Sequence, residues 1–329
     1  MRSSLDSTPY TYVVHADWSI RASGRWRAHA ILLDGVWRIH AARPVGDPAA
    51  LISDILSEAE AVGAGGGVFL GVDLPIGLPR RWAERAGVAD FMAVLPEFGG
   101  GKWADFFTPA RTPEEISLRR PFYPAGVGGR RQQHLIDGLG FGSMDALRRR
   151  ADFAANGKRS GAPMFWTLGG AQVGKSALDF WRGALQPALA AGTAAVWPFA
   201  GALAALSRVG RVVVAETYPG EAYHWFGLGV ASSKFSKRRL SDRQADAPRL
   251  LQAGEDIGAV FDPAAAAQIR EGFPSDDAFD AMVGVLAALA VVTGRRQAGA
   301  PADDPLVQRV EGWILGRTAA PPGNPLIPK

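Results

Sequence analysis

Cysteine is absent from all 329 residues, so neither a disulfide framework nor a thiolate metal site can be built. That absence is compatible with a cytoplasmic location, which is the expectation here. Histidine is scarce, five residues in all, and their scattered positions give no zinc-type spacing. A long hydrophobic run is also missing. The longest apolar stretch, Ala278 to Thr293, is short and follows Asp276, Asp277 and Asp280 closely. It suits a buried helix better than a membrane span, and no membrane partner is expected. Met1 to Asp6 is polar and carries no apolar run of signal-peptide type. Charge of one sign is barely in excess: Lys+Arg 36 against Asp+Glu 32 gives +4, too little by itself to argue for a nucleic-acid partner.

What is present is a globular composition. Hydrophobic residues make up 47% and charged residues 21%, enough to bury a sizeable core and unlike a disordered chain. The 40 glycines and 23 prolines predict many turns and irregular connections. Tyr10 to Trp18 and Trp26 to Leu33 are rich in β-branched and aromatic residues and read as strands. Asp34-Gly35 is a two-residue hairpin signal leading into a third strand, Val36 to Ala41. Asp47 followed by Pro48 reads as a helix start. Leu51, Ile55, Leu56 and Ala59 then recur at helical spacing up to Gly63. Val68 to Val72 is a continuous apolar run, as expected of a strand buried on both faces. Arg211 to Ala215 reads as another such strand, and Ser275 as the cap of a last helix reaching about Thr293. Between them, about 80–210, lies an irregular segment rich in Gly, Pro, Trp and Arg, with helix-like pieces at Ser143 to Ala155 and Ala177 to Ala190. One domain over 1–329 is expected, with a loosely ordered Pro-rich tail at about 317–329.

The acids fall at significant places. Asp17, Asp73 and Glu216 each follow an apolar strand, and Asp276, Asp277 and Asp280 open the last helix. Asp277 and Asp280 are three apart and share a helical face. A single acid at a strand end is an ordinary turn or cap residue, and acids at a helix start suit its dipole. Together they say more. The carboxyl ends of parallel strands line one crevice, and carboxylates gathered there repel unless a cation neutralises them. Mg²⁺ or Mn²⁺, which bind carboxylate oxygens, are the expected cofactors, and phosphoryl transfer the expected chemistry.

The order β-β-β-α-β, with Asp17 in the first strand, Asp73 after the fourth and an acidic last helix, resembles the RNase H-like superfamily. Within it the chain resembles the DUF429 group, whose members are described as predicted nucleases of that fold. The residues that carry this are VVHADWS (Val13 to Ser19), GVDLPIGLP (Gly71 to Pro79), ETYPGEAY (Glu216 to Tyr223), SDDAFDA (Ser275 to Ala281) and EGWI (Glu311 to Ile314), spread over most of the chain. The resemblance implies an α/β fold: a mixed sheet in β-β-β-α-β-α-β order, flanked by helices, with a large insertion between the fourth and fifth strands. It implies a metal site from Asp17, Asp73 and Asp277 or Asp280. Glu216 would be a further ligand or a water-orienting group. The expected activity is metal-dependent hydrolysis of nucleic-acid phosphodiesters.

Two further signals point elsewhere or add to this. Gly169 to Ser176 (GGAQVGKS) fits the phosphate-binding P-loop pattern to the letter. No convincing buried strand precedes it, and no Walker-B-type strand follows it. A P-loop nucleotide-binding protein or kinase is thus one alternative function, and a non-catalytic scaffold binding a partner is another. Basic residues cluster at Arg119, Arg120, Arg130, Arg131, Arg148, Arg149, Arg150, Lys158 and Arg159, and again at Lys234, Lys237, Arg238, Arg239 and Arg243. With Phe122, Tyr123 and Phe235 nearby, Arg119, Arg120, Arg130, Arg131, Lys234 and Lys237 are candidates for phosphate contacts; a solvated helix face accounts for them equally well. His15, two before Asp17, should point to the same side of its strand as Asp17, and a packed core histidine is the simpler expectation.

Overall fold

The computed structural model describes residues 8–153, 161–168, 173–230 and 234–319. Seven strands form one mixed sheet: β1 Tyr10–Asp17, β2 Trp26–Leu33, β3 Val36–Pro44, β4 Gly67–Val72, β5 Ala194–Val196, β6 Val212–Glu216 and β7 Ala259–Phe261. Their spatial order is β5-β6-β4-β1-β2-β3-β7. β1, β2 and β3 are antiparallel neighbours, whereas β1, β4, β6 and β5 run parallel, as do β3 and β7. The hairpin between β2 and β3 turns on Asp34 and Gly35, both with positive φ (51° and 77°), the geometry of a type I′ turn. The helix Leu51–Ala61 carries the chain from β3 across to β4, as parallel pairing requires.

Side-chain alternation divides the interior in two. Tyr12, Val14 and Ala16 of β1, Val68, Leu70 and Val72 of β4, and Val212 and Val214 of β6 face one core. That core also holds Leu51 and Ile55 of the crossover helix and the aromatic residues Trp82, Phe91, Phe106 and Phe165 of the segment between β4 and β5. Val13, Phe69, Val213 and Ala215 face the other core, built around the helix Asp276–Val292. That helix is buried all round from Ala278 onward, which is why its apolar run shows no amphipathic stripe. Ser275 caps it, accepting from the amide of Ala278 at 3.0 Å. Among the described residues, no helix is long and apolar enough to cross a membrane.

Several expectations are corrected by tertiary contacts. The segment expected as an insertion ending before the fifth strand contains a strand of its own, β5, which adds to the sheet edge beside β6. Of the expected helix Ser143 to Ala155, residues 154–155 lie outside the described residues, and Ser143 to Phe153 is not a continuous helix. It forms two 3₁₀ turns, Met144–Leu147 and Arg150–Asp152, with Arg148 and Arg149 extended between them. Arg149 leaves the helical path because its guanidinium is drawn into a buried ion pair. Ala177 to Ala190 is helical as expected, over Val173–Phe180, a π-helical turn at Trp181–Leu185, and Gln186–Ala190. The expected loose tail begins too early by at least one residue: Arg317 is buried and paired with Glu221 at 2.5 Å. Residues 320–329 lie outside the described residues.

His15 is fully buried, packed between β1 and the helix Asp276–Val292. The packing needs Gly284, because a Cβ there would stand 2.2 Å from the imidazole. Gly284→Ala should therefore lower stability by about 1–3 kcal/mol through overpacking. The expected readout is a lower urea midpoint at unchanged m-value; an unshifted midpoint would show that the ring can give way.

Candidate active site

The parallel strands β1, β4 and β6 open onto a cavity of about 910 Å³ at their carboxyl ends. Its walls include Asp17, Asp73, Asp277 and Asp280, and also Glu216, Thr217, Tyr218, Tyr223 and Lys237. Register explains which of these share a face. Ala16 pairs with Val72 and Val72 with Glu216. One step further along, Asp17, Asp73 and Thr217 therefore stand in a row on the side of the long helix. The helix brings Asp277 and Asp280 to the same place from above. The Asp277 carboxylate lies beside Gly24, in the turn between β1 and β2.

Charge crowding is the dominant property of this cluster. Asp17 is held well above the usual carboxylate range, by burial first and then by repulsion from Asp280 and Asp73. Asp73 is pushed up to about 7, again by burial first and then by Asp280. Asp73 and Asp277 each stand near enough to Asp17 to share a proton with it, which partly offsets the rise in their proton affinity. Burial and Asp276 raise Asp277. Asp280 is raised by burial, although Lys237 and Tyr223 both donate to it. Burial works against the Lys237 ammonium, but Asp280, Asp17 and Asp73 outweigh it and keep the lysine charged. Lys237 is thus a built-in counter-ion to one carboxylate of the group.

Glu216 is placed differently from the other sequence candidates. Alternation points it to the opposite side of the sheet from Asp17 and Asp73. There Arg149 grips it with two hydrogen bonds of 2.6 and 2.7 Å, and the amide of Ile76 donates a third at 2.9 Å. Arg149 also binds Asp152 at 2.9 Å. Buried and bidentate, this pair braces the cavity wall.

The expected phosphate contacts divide. Lys237 lines the cavity, whereas Arg119, Arg120, Arg130, Arg131 and Lys234 do not. Arg119 stacks on Trp103, 3.8 Å from its ring centroid. Arg120 donates to the carbonyls of Thr108 and Pro109 and pairs with Glu115. Arg130 lies 6.0 Å from the Tyr123 ring, and Arg131 precedes the helix Gln132–Leu139. The cationic rim is instead formed by Arg238, a member of the second basic cluster, and by Arg21, not foreseen in this role, beside the half-exposed Ile20 and Tyr218.

The P-loop-like segment lies partly outside the described residues, at 169–172, as do Lys158 and Arg159. Its described part is engaged internally. Gly174 packs so closely on the Met164 carbonyl that a Cβ would lie 1.9 Å from it. Lys175 donates to the Ala125 carbonyl at 3.2 Å, and Ser176 to that of Trp18 at 3.3 Å. Met164 to Leu168 contributes no strand to the seven-stranded sheet.

Among the described residues, no three acids already stand as a ready-made metal shell. Both oxygens of Asp280 are taken, one by Lys237 and one by Tyr223. The donors that could hold a hard divalent cation are the neighbouring carboxylates of Asp17, Asp73 and Asp277.

Two measurements follow. An acid with a raised pKa binds its proton more tightly folded than unfolded, so its contribution to stability falls as pH rises from the unfolded to the folded pKa. For Asp73 that window runs from 3.8 to about 7. Without divalent cations, the melting temperature of Asp73→Asn should therefore gain on wild type as pH rises through this window; a constant difference would contradict the crowding. Arg149→Leu takes the guanidinium away from the buried carboxylates of Glu216 and Asp152. It should cost about 3–5 kcal/mol in a denaturant titration, and a loss under about 1 kcal/mol would show that the pair carries little.

No curated protein and no solved structure matches the chain significantly. A family described as proteins of unknown function, DUF429, matches residues 17–305. That span runs from the last residue of β1 through β2 to β7 and takes in the acid cluster and the long helix, and the chain belongs to the DUF429 family.

Proposed function

We propose that this chain is an RNase H-like phosphodiesterase that uses Mg²⁺ or Mn²⁺ to hydrolyse nucleic acid. The observation that carries the reading is the meeting of Asp17, Asp73, Asp277 and Asp280 in one crevice. Such a set is unfavourable at neutral pH unless protons, a lysine or a metal ion offset it. Three antiparallel strands followed by a helix and a fourth strand returning parallel to the first support the RNase H-like order. On this reading the segment at about 80–210 elaborates that core.

The donor chemistry fits the ion. All candidate ligands are carboxylate oxygens, and Asp17 stands next to both Asp73 and Asp277 along one cavity wall. When bound, the ion would offset negative charge developing on the phosphoryl oxygens. The remaining chemistry belongs to the chain. Lys237 and Tyr223 hold Asp280 in place, and Arg149 with Glu216 keeps the wall behind the acids rigid. Arg21 and Arg238 at the rim attract a polyanion that the acidic floor alone would repel. Tyr218 and Ile20 offer apolar surface at the mouth against which a base can rest.

Asp17→Asn keeps the side-chain shape and removes the charge. Cleavage of single-stranded, double-stranded or hybrid substrates with Mg²⁺ or Mn²⁺ should fall at least about 100-fold, while the fold survives. Equal cleavage by wild type and variant would remove Asp17 from the chemistry. Absence of binding and cleavage by the wild type on every substrate would favour a non-catalytic scaffold.

A further inference from the structure

We infer that the crevice takes a single divalent cation, held by Asp17, Asp73 and Asp277, and that the Lys237 ammonium serves as the second cation, on Asp280. This rests on the metal-dependent phosphodiesterase reading above. The Lys237 ammonium donates to one oxygen of Asp280 and the Tyr223 hydroxyl to the other. Both residues line the cavity, and neither is loosely placed. The Tyr223 ring packs edge-on against Phe235 and Phe279, with centroids 6.0 and 5.6 Å away. The backbone of Lys237 is tied to the turn that leads into the helix carrying Asp280. The buried Arg243 guanidinium makes that tie, donating to the carbonyls of Lys237, Gly272 and Phe273 at 2.6, 2.5 and 3.3 Å. Just before Lys237, the amide of Ser236 donates to Asp242 at 2.8 Å. A surface lysine that reached the acids by chance would need no such anchoring.

A two-ion site needs carboxylate oxygens for each ion, with the ions about 4 Å apart. If Asp17, Asp73 and Asp277 serve the first ion, Asp280 is the acid of the cluster left for a second. Each of its oxygens keeps a lone pair beyond the one used here. A divalent ion on that lone pair would stand beside the ammonium, and like charges in contact repel strongly away from water. Asp280 is only 3% exposed, so solvent screens little there. Asp17 and Asp73 attract the ammonium as well, so its charge counters the group and not Asp280 alone. Lys237 thus supplies a fixed positive charge that needs no loading from solution, and divalent binding should follow a one-site curve.

The test counts bound Mn²⁺ by calorimetric titration and by electron paramagnetic resonance in wild type, in Lys237→Met and in the double variant Lys237→Met with Asp280→Asn. Wild type should bind one Mn²⁺ per chain and show the spectrum of an isolated ion. Lys237→Met keeps the side-chain length and removes the charge, so it should bind a second Mn²⁺, seen as a spin-coupled pair at about 4 Å. The double variant removes the ion pair as a unit, which spares the fold whatever the single change does. It should return to one Mn²⁺, with a loss of affinity below about 100-fold, the most that an outer partner costs. Two Mn²⁺ in wild type, or one in a folded Lys237→Met, overturns the inference and leaves the metal site standing. A larger loss of affinity in the double variant overturns it too, since Asp280 is then itself a ligand. Failure of wild type to bind Mn²⁺ removes the metal-dependent reading, and the inference falls with it.

Discussion

Mutual repulsion among carboxylates that the fold holds in one crevice is the constraint around which this molecule is arranged. Parallel pairing of β1, β4 and β6 sends successive strand ends to the same place, and the long helix delivers two more acids from above. Coulomb repulsion between like charges in contact is several-fold stronger there than in water. The chain meets it in two ways. Lys237 reaches in from the loop before the helix Leu240–Ala245 to pair with Asp280. The raised proton affinity of Asp17 and Asp73 supplies the rest when no other cation is present. Such an arrangement lowers stability locally and makes sense where the charge is put to use.

Rigidity behind the acids comes from an interlocked set of segments far apart in sequence. Glu216 receives Arg149 and the Ile76 amide, while its own carbonyl accepts from Leu315 at 2.8 Å. Gly77 and Gly312 let two backbones cross in close contact. A Cβ on Gly77 would lie 2.2 Å from the Glu311 carbonyl oxygen, and one on Gly312 would lie 2.1 Å from that of Ile76. Both glycines have positive φ, 124° and 70°, so shape and conformation require the same residue. Glu311, fully buried, is paired with Arg80 and accepts from the amide of Arg150 at 3.2 Å. The motifs GVDLPIGLP, ETYPGEAY and EGWI, scattered along the chain, are thus one mechanical joint beneath the crevice.

Local chemistry was legible where local rules decide. Alternation and the Asp34-Gly35 turn define β1 to β3, Asp47 accepts from Ala49 at the start of the crossover, and Ser275 caps the long helix. The acids at the ends of β1 and β4 and on the last helix were found because their spacing carries the argument. Glu216 was read as a partner of Asp17 because each ends an apolar run. Inter-strand register is a tertiary property, however, and it shifts β6 by one residue, which sends Glu216 to the opposite face and aligns Thr217 instead. β5 and β7 are three residues each, too short for periodicity to reveal. The basic clusters looked like a phosphate track, but Arg119, Arg120 and Arg149 are consumed by ring stacking, carbonyls and buried acids, none of which composition records.

The segment between β4 and β6 belongs to the site and to the core alike. Its aromatic residues share one core with β1, β4 and β6. It supplies Arg149 and Asp152 to the joint, and Asp179, which accepts from the Trp18 indole at 3.1 Å and pairs with Arg25 at 2.9 Å. Ser176 holds the Trp18 carbonyl, and Arg25 holds that of Ser19. The backbone directly after Asp17 is therefore clamped from two sides. A carboxylate crowded by three others would otherwise relax by moving its own chain end outward. Clamping Trp18 and Ser19 removes that escape, so the crowding of the cluster persists in the folded chain. On this argument the elaborate middle of the chain is what allows the strand ends to carry so much like charge.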